Sequence, residues 1–206
     1  MAGKNKTILR LEAHQLDQAS EVVSRAFYND PFLEHLAPDE AKRARLTSSF
    51  MGKTVRYSSL YGEVYTTSAL EGVACWLPPG NSTPTFLRML RTGLLTEPLK
   101  FGWAGFRRFM KVVNYTEEVQ KRSVPGPHWY LWVLGVDPSH QGEGIGGALM
   151  QPVLMRAEAD GLPCYLETMN ERNVPFYQRH GFRVVSDGEV PKDGLRVWTM
   201  ARDPRG

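Results

Sequence analysis

Cysteine is scarce in this 206-residue chain, with only Cys75 and Cys164. A disulfide framework is therefore not expected, and a metal site built on cysteine alone is impossible. No apolar run approaches about 18 residues, so no segment is expected to span a membrane. The opening Met1-Ala2-Gly3-Lys4-Asn5-Lys6 has no apolar stretch behind it and does not read as a signal peptide. Internal repeats and low-complexity tracts are also missing. With 42% hydrophobic and 23% charged residues, the composition excludes disorder, coiled coil and collagen. The expectation is a soluble, cytoplasmic, single globular domain over residues 7–206, large enough to bury on the order of 70% of its unfolded surface.

Net charge is small, +3, but unevenly spread. Between Pro84 and Arg122, eight basic residues (Arg88, Arg91, Lys100, Arg107, Arg108, Lys111, Lys121, Arg122) face only Glu97, Glu117 and Glu118. That span carries +5 and the remainder −2. Short clusters of like charge usually mark a solvated helix face. The basic residues lack the aromatic interleaving of a strand-binding platform, so no nucleic-acid partner is expected.

Ile8 to Leu11 reads as an entry strand, and Gln15 to Tyr28 carries apolar residues at helical spacing. Asn29-Asp30-Pro31 is expected to stop that helix, leaving Glu34 and His35 in a loop. A second helix is expected from an Asp39 cap to Tyr61, closed by Gly62. Strands follow at Glu63 to Thr67 and Gly72 to Leu77, and Pro78-Pro79-Gly80 breaks the chain. Thr83 to Lys121 reads as helical. In it Leu99, Trp103, Phe106, Met110 and Val113 form an apolar stripe, which is most often core and less often a face turned to a ligand.

Trp129 to Val136 is a bulky apolar run that reads as a strand buried on both faces, with Gly135 marking a bulge or a close backbone approach. A loop, Asp137 to Gln141, leads to a helix from Gly144 to Asp160 with Pro152 inside it, where a kink or late start is expected. Pro163 to Glu167 is a strand, Asn173 is expected to cap a short helix ended by Gly181, and Phe182 to Val185 and Leu195 to Met200 are the last strands.

The most informative segment is Gln141-Gly142-Glu143-Gly144-Ile145-Gly146-Gly147. Glycines between a strand and a helix start let backbone N–H groups converge on an anion, and the helix dipole favours phosphate there. Gly142-x-Gly144-x-x-Gly147 fits the dinucleotide fingerprint, with Glu167 twenty residues on. That reading fails because five loop residues separate the strand from the glycines and only 39 residues follow Glu167. No lysine follows the glycines as a nucleotide-triphosphate loop requires.

Gln141-x-x-Gly144-x-Gly146 after an apolar strand resembles the acyl-CoA signature of the GNAT acetyltransferase superfamily. Asn170-x-x-Asn173-x-x-Phe176-Tyr177-x-x-x-Gly181-Phe182 is similar to a second family segment at the family's spacing. The resemblance is densest from Trp129 to Arg202 and closest to the puromycin N-acetyltransferase-like members. It implies an α/β (α+β) fold: a mixed, mostly antiparallel sheet of about six to seven strands flanked by helices, with a helical insertion at about 83–122.

The resemblance implies direct acetyl transfer from acetyl-CoA to a primary amine of a small molecule, with no metal. The cofactor-binding residues it implies are Leu134, Gly135 and Val136 for the pantetheine arm, and Gln141, Gly142, Glu143, Gly144, Ile145, Gly146 and Gly147 for the pyrophosphate. Asn173, Phe176 and Tyr177 are added from the second segment. Tyr177 is the expected general acid, since a phenol of pKa about 10 can serve a thiolate of about 8.5. Glu167 is the first choice of general base, acting directly or through water, followed by Glu34, His35 and then His140. Cys164 reads as a small buried hydrophobe. A monomer or homodimer is expected, with no membrane partner. The alternative is a CoA-binding regulatory or catalytically degenerate module.

Overall fold

The computed structural model describes residues 6–204. The expectations for residues 1–5, and for the last two residues of the 7–206 domain, lie outside the described residues.

Among the described residues, seven strands form one sheet in the order β1-β2-β3-β4-β5-β7-β6. They are β1 Ile8–Arg10, β2 Glu63–Thr67, β3 Gly72–Leu77, β4 Trp129–Val136, β5 Cys164–Thr168, β6 Arg183–Glu189 and β7 Arg196–Arg202. Neighbours are antiparallel except β4 and β5, which run parallel and are in register only at Trp129–Cys164 and Tyr130–Tyr165. Among the described residues, eight α-helices accompany the sheet: α1 Leu16–Ala26, α2 Pro31–Leu36, α3 Glu40–Tyr61, α4 Phe86–Thr92, α5 Glu97–Lys100, α6 Gly102–Ser123, α7 Ile145–Ala159 and α8 Val174–Arg179. This is the mixed, mostly antiparallel architecture expected from the sequence. Among the described residues, no helix is long and apolar enough to cross a membrane.

Period-two alternation in β3 explains the layering. Val73, Cys75 and Leu77 join one core with α1, α2 and α3, while Ala74 and Trp76 join the other with α7 and α8. Both cysteines are buried and free, and burial pushes each thiol up to about 12, as suits inert core residues. A third cluster, Val112 with Val190, Leu195 and Val197, docks α6 against the β6–β7 end of the sheet.

Three local expectations need correction. Pro31 does not simply stop α1. It opens α2 at the first helical position, where its missing N–H costs nothing, and Asp30 caps that helix by accepting from the Phe32 amide at 3.0 Å. Glu34 and His35 are therefore on a helix. The insertion is not one continuous helix: Gly93 and Gly102 adopt left-handed φ values of 74° and 78°, and Pro98 lies between them. Finally, Asn170 is the residue whose side chain accepts from a backbone amide, that of Arg172 at 3.1 Å, whereas Asn173 is already helical and makes no cap bond. Pro152 lies within α7 without ending it.

Candidate active site

The site begins where β4 and β5 part. On one side β4 is laddered to β3 from Tyr130 to Val136, with a shift that leaves Trp132 as the extra residue between Cys75–Val133 and Trp76–Leu131. Such a bulge twists the strand locally. On its other side, β4 loses β5 after Tyr130. The strand residues beyond that point thus face a gap with no ladder partner, the arrangement a strand-like ligand arm needs. Gly135 has the α1 residue Ala26 within 3.1 Å of where its Cβ would be, so the expected close approach is realised.

The loop after β4 is fixed by Asp137, which accepts from the Ser139 amide (3.1 Å) and hydroxyl (2.6 Å) and pairs with Arg25 at 2.8 Å. The Ser139 bonds and Arg25 hold its carboxyl down to about 2. Gly144, at φ 80°, then starts α7 with no side-chain cap. The first amides of a helix have no intrahelical partner, so Ile145, Gly146 and Gly147 offer free donors along the axis. The residues present fit a diphosphate.

Gly146 and Gly147 also permit close packing of α8. A Cβ on Gly146 would lie 3.1 Å from the Phe176 ring, and one on Gly147 would run into His180. The His180 ring is itself held by the Phe176 carbonyl at 2.9 Å. Gln141 Nε2 reaches back to the Val136 carbonyl (3.3 Å). The Glu143 carboxylate is engaged by Lys6 (2.9 Å) and His140 (3.2 Å). Glu71, His140 and Glu143 have ligand atoms within 4.8 Å of one another, yet the Lys6 ammonium already bridges the two carboxylates, at 2.6 Å to Glu71 and 2.9 Å to Glu143.

The gap between β4 and β5 opens into a cavity of about 530 Å³ running beneath the insertion. Phe32, Phe50, Met89, Phe106, Phe109 and Met110 supply much of its apolar wall. Its ionisable lining is acidic apart from the phenols of Tyr130 and Tyr177: Asp30, Glu117 and Glu167, with no lysine, arginine or histidine. The eight basic residues of the insertion all lie elsewhere.

Four groups in the wall titrate abnormally, among them Tyr130, whose phenol is pushed up by burial and by the Glu167 carboxylate. Burial pushes the Glu167 carboxyl up to about 7, although a 2.6 Å hydrogen bond from the Tyr130 hydroxyl pulls it back. Burial raises Asp30 to about 6 against the opposing bond from the Phe32 amide. Tyr177 is raised by burial and then by the charge of Asp30, so it stays protonated at neutral pH. That widens the modest proton gap expected from the sequence, and the phenol is better suited to donating a hydrogen bond than to giving up its proton freely.

Glu167, Tyr177, Asn173 and Leu134 all line the cavity. Phe176 instead packs against Tyr177 and His180, with ring centroids at 5.1 and 4.7 Å. The other base candidates lie outside the cavity. Glu34 is near Arg43 (3.8 Å), His35 pairs with Asp193 (2.7 Å), and His140 sits on Glu143. Asp30 was not legible as a site residue, because a helix cap before proline explains it fully until the chain folds over it. The apolar stripe of the insertion is not core: Leu99 and Trp103 are 57% and 73% exposed, while Phe106, Met110 and Val113 line the cavity.

Residues 101–182 match the profile of the acetyltransferase (GNAT) family. An uncharacterized N-acetyltransferase of Schizosaccharomyces pombe is 27% identical over 203 residues, covering 95% of this chain and 82% of that protein. The fold is shared with a Corynebacterium glutamicum protein described as histone acetyltransferase HPA2 and related acetyltransferase (TM-score 0.67, 20% identity, 98% and 97% of the two chains). It is also shared with arylalkylamine N-acetyltransferase 2 of Aedes aegypti (TM-score 0.66, 12% identity, 98% and 100%).

Proposed function

We propose that this protein is a GNAT-family, acetyl-CoA-dependent N-acetyltransferase acting on a primary amine of a small molecule, by direct attack in a ternary complex. The observation that carries this reading is Glu167, a carboxyl poised near 7 in the wall of an apolar cavity whose charged lining is wholly acidic. An ammonium is drawn to such a cavity, and a base near neutrality can deprotonate it.

Acetyl-CoA would supply an activated acyl carbon and a thiol leaving group. The amides of Gly142, Gly144, Ile145, Gly146 and Gly147 would hold its pyrophosphate, with Gln141 and Glu143 shaping the loop around it. Leu134, Gly135 and Val136 would pair with the pantetheine arm along the open side of β4, and an amide there would meet the charge developing on the thioester oxygen. Glu167 would take the proton from the ammonium and the freed amine would form the C–N bond as the C–S bond breaks; Tyr177 would donate to the departing sulfur, and the second proton that nitrogen gives up on becoming an amide would restore the phenol, so that the thiol leaves neutral. Asn173 and Phe176 hold the α8 side of the cofactor channel.

Thiol release from acetyl-CoA across a panel of amines tests this, with Glu167→Gln and Tyr177→Phe as controls. Amine-dependent release lost in both variants is the expected result. Calorimetry showing no CoA binding would overturn the reading, and CoA binding without turnover on a broad panel would point to a degenerate module.

A further inference from the structure

Gln120 and His128 lie outside the acid–base pair and are almost fully buried, 8% and 5% exposed. His128 Nδ1 is 2.8 Å from the Gly126 carbonyl oxygen, and its Nε2 is 3.0 Å from Nε2 of Gln120. A carbonyl can only accept, so Nδ1 carries the proton and Nε2 carries the lone pair. Burial lowers the pKa of this imidazole, which keeps it neutral. The Nε2 lone pair requires a donor, and only the amide nitrogen of Gln120 supplies one. Turned over, the amide would set oxygen against the lone pair.

The free end of Gln120 is therefore its carbonyl oxygen. Gln120 lines the cavity, and Oε1 is not among the sealed, unpartnered polar atoms. Glu117, three residues earlier on α6, lines the same cavity, and its charge reaches Tyr130. This corner thus offers two acceptors, an amide oxygen locked in orientation by a tautomer and a carboxylate, one oxygen of which is 3.4 Å from the Lys121 ammonium.

We infer that Gln120 and Glu117 form a second recognition point, which binds a hydrogen-bond donor on the acceptor molecule remote from the reacting amine. The acceptor class is a primary amine that also carries a hydroxyl or second amino group on an apolar body. Gln120 is the specificity-determining residue and His128 a positioning residue. The inference rests on the proposed use of this cavity for the amine. A buried acceptor favours a ligand that satisfies it, because an analogue lacking the donor leaves it unpaired.

The test compares three series of increasing chain length: n-alkylamines, ω-amino alcohols, and the O-methyl ethers of those alcohols, which keep the oxygen but not the donor. Turnover with acetyl-CoA and calorimetric binding to the CoA-loaded protein are both measured. At one chain length the amino alcohol should have a KM, or Kd, about tenfold below both analogues, with kcat similar. Gln120→Leu should erase the difference. His128→Phe should raise KM for the alcohol while leaving the alkylamine unchanged. No preferred length in the wild-type protein, or a preference that survives Gln120→Leu, overturns the inference, as does failure of every amine to bind. Donor-selective binding without turnover would instead preserve it and sink the proposed reaction.

Discussion

The Tyr130 hydroxyl donates a 2.6 Å hydrogen bond to Oε1 of Glu167, while Oε2 of the same carboxyl is buried with no partner. One full hydrogen bond, with a weaker pull from the buried Tyr165 phenol, is too little to solvate a carboxylate, so burial dominates and the group titrates near 7. The two residues meet because β4 and β5 are in register only at their first two pairs, one of which includes Tyr130. Beyond it Glu167 faces the gap.

The pH profile follows from that balance. If Glu167 is the base, kcat/KM should rise with pH through about 7 as the carboxyl loses its proton. Tyr130→Phe removes the bond that lowers the pKa, so the rising limb should move to higher pH. Glu167→Gln should cost on the order of 10²-fold in kcat. Profiles of wild type and Tyr130→Phe that superimpose would rule out this assignment.

Stability should move the other way. The folded carboxyl titrates near 7 and the ordinary value is 4.5, so between them the native state holds a proton the unfolded chain has released. The contribution of this group is then fully present below about 4.5 and is lost as pH rises to 7, by roughly 3 kcal/mol. Glu167→Gln should raise Tm at alkaline pH and change it little in acid, although it removes activity. Asp30→Asn should do the same over a lower window, from the ordinary value of 3.8 to about 6, since asparagine keeps the α2 cap. A Tm difference independent of pH would contradict both.

The packing of α8 on α7 gives a third prediction. The Gly147 position has no room for a methyl group because the His180 ring lies over it, and that ring is pinned by the Phe176 carbonyl. Gly147→Ala should displace α8, which carries Tyr177, and destabilise the fold by about 1–3 kcal/mol. Gly147→Ala combined with His180→Ala should recover most of that loss in denaturant melts. A double mutant no better than the single would place the strain elsewhere.

Much of the framework was legible in the sequence. The limits of β2, β3 and β4 follow from short apolar runs bounded by turn chemistry, and the Asp39 cap fixed the start of α3. The gap between β4 and β5 was not legible, since no local pattern encodes a separation of strands; the family resemblance supplied only the pairing of Leu134 to Val136 with a ligand arm and the choice of Tyr177. Helix α2 escaped because six residues are too few to show a period. Gln120 and His128 escaped because a tautomer-locked amide exists only once α6 and the start of β4 are packed together. The basic insertion misled in the same way: helical spacing shows that a face is apolar but not whether a core or a hollow lies beneath it.

That last ambiguity can be resolved by mutation. Val119, on the same helix, is 1% exposed and is not part of the cavity lining, whereas Phe106 lines the cavity and stacks on the exposed Trp103 with centroids 6.0 Å apart. Val119→Ala should cost about 2 kcal/mol of stability, by lost burial and a small void, and leave KM for an amine near its wild-type value. Phe106→Ala should behave oppositely. Its ring borders space that solvent or ligand already occupies, so truncation adds little cavity cost, but an apolar acceptor loses a contact surface and its KM should rise several-fold. Chemical denaturation and steady-state kinetics on the same two proteins separate the cases. A large stability loss in Phe106→Ala with KM intact would return the stripe to the core.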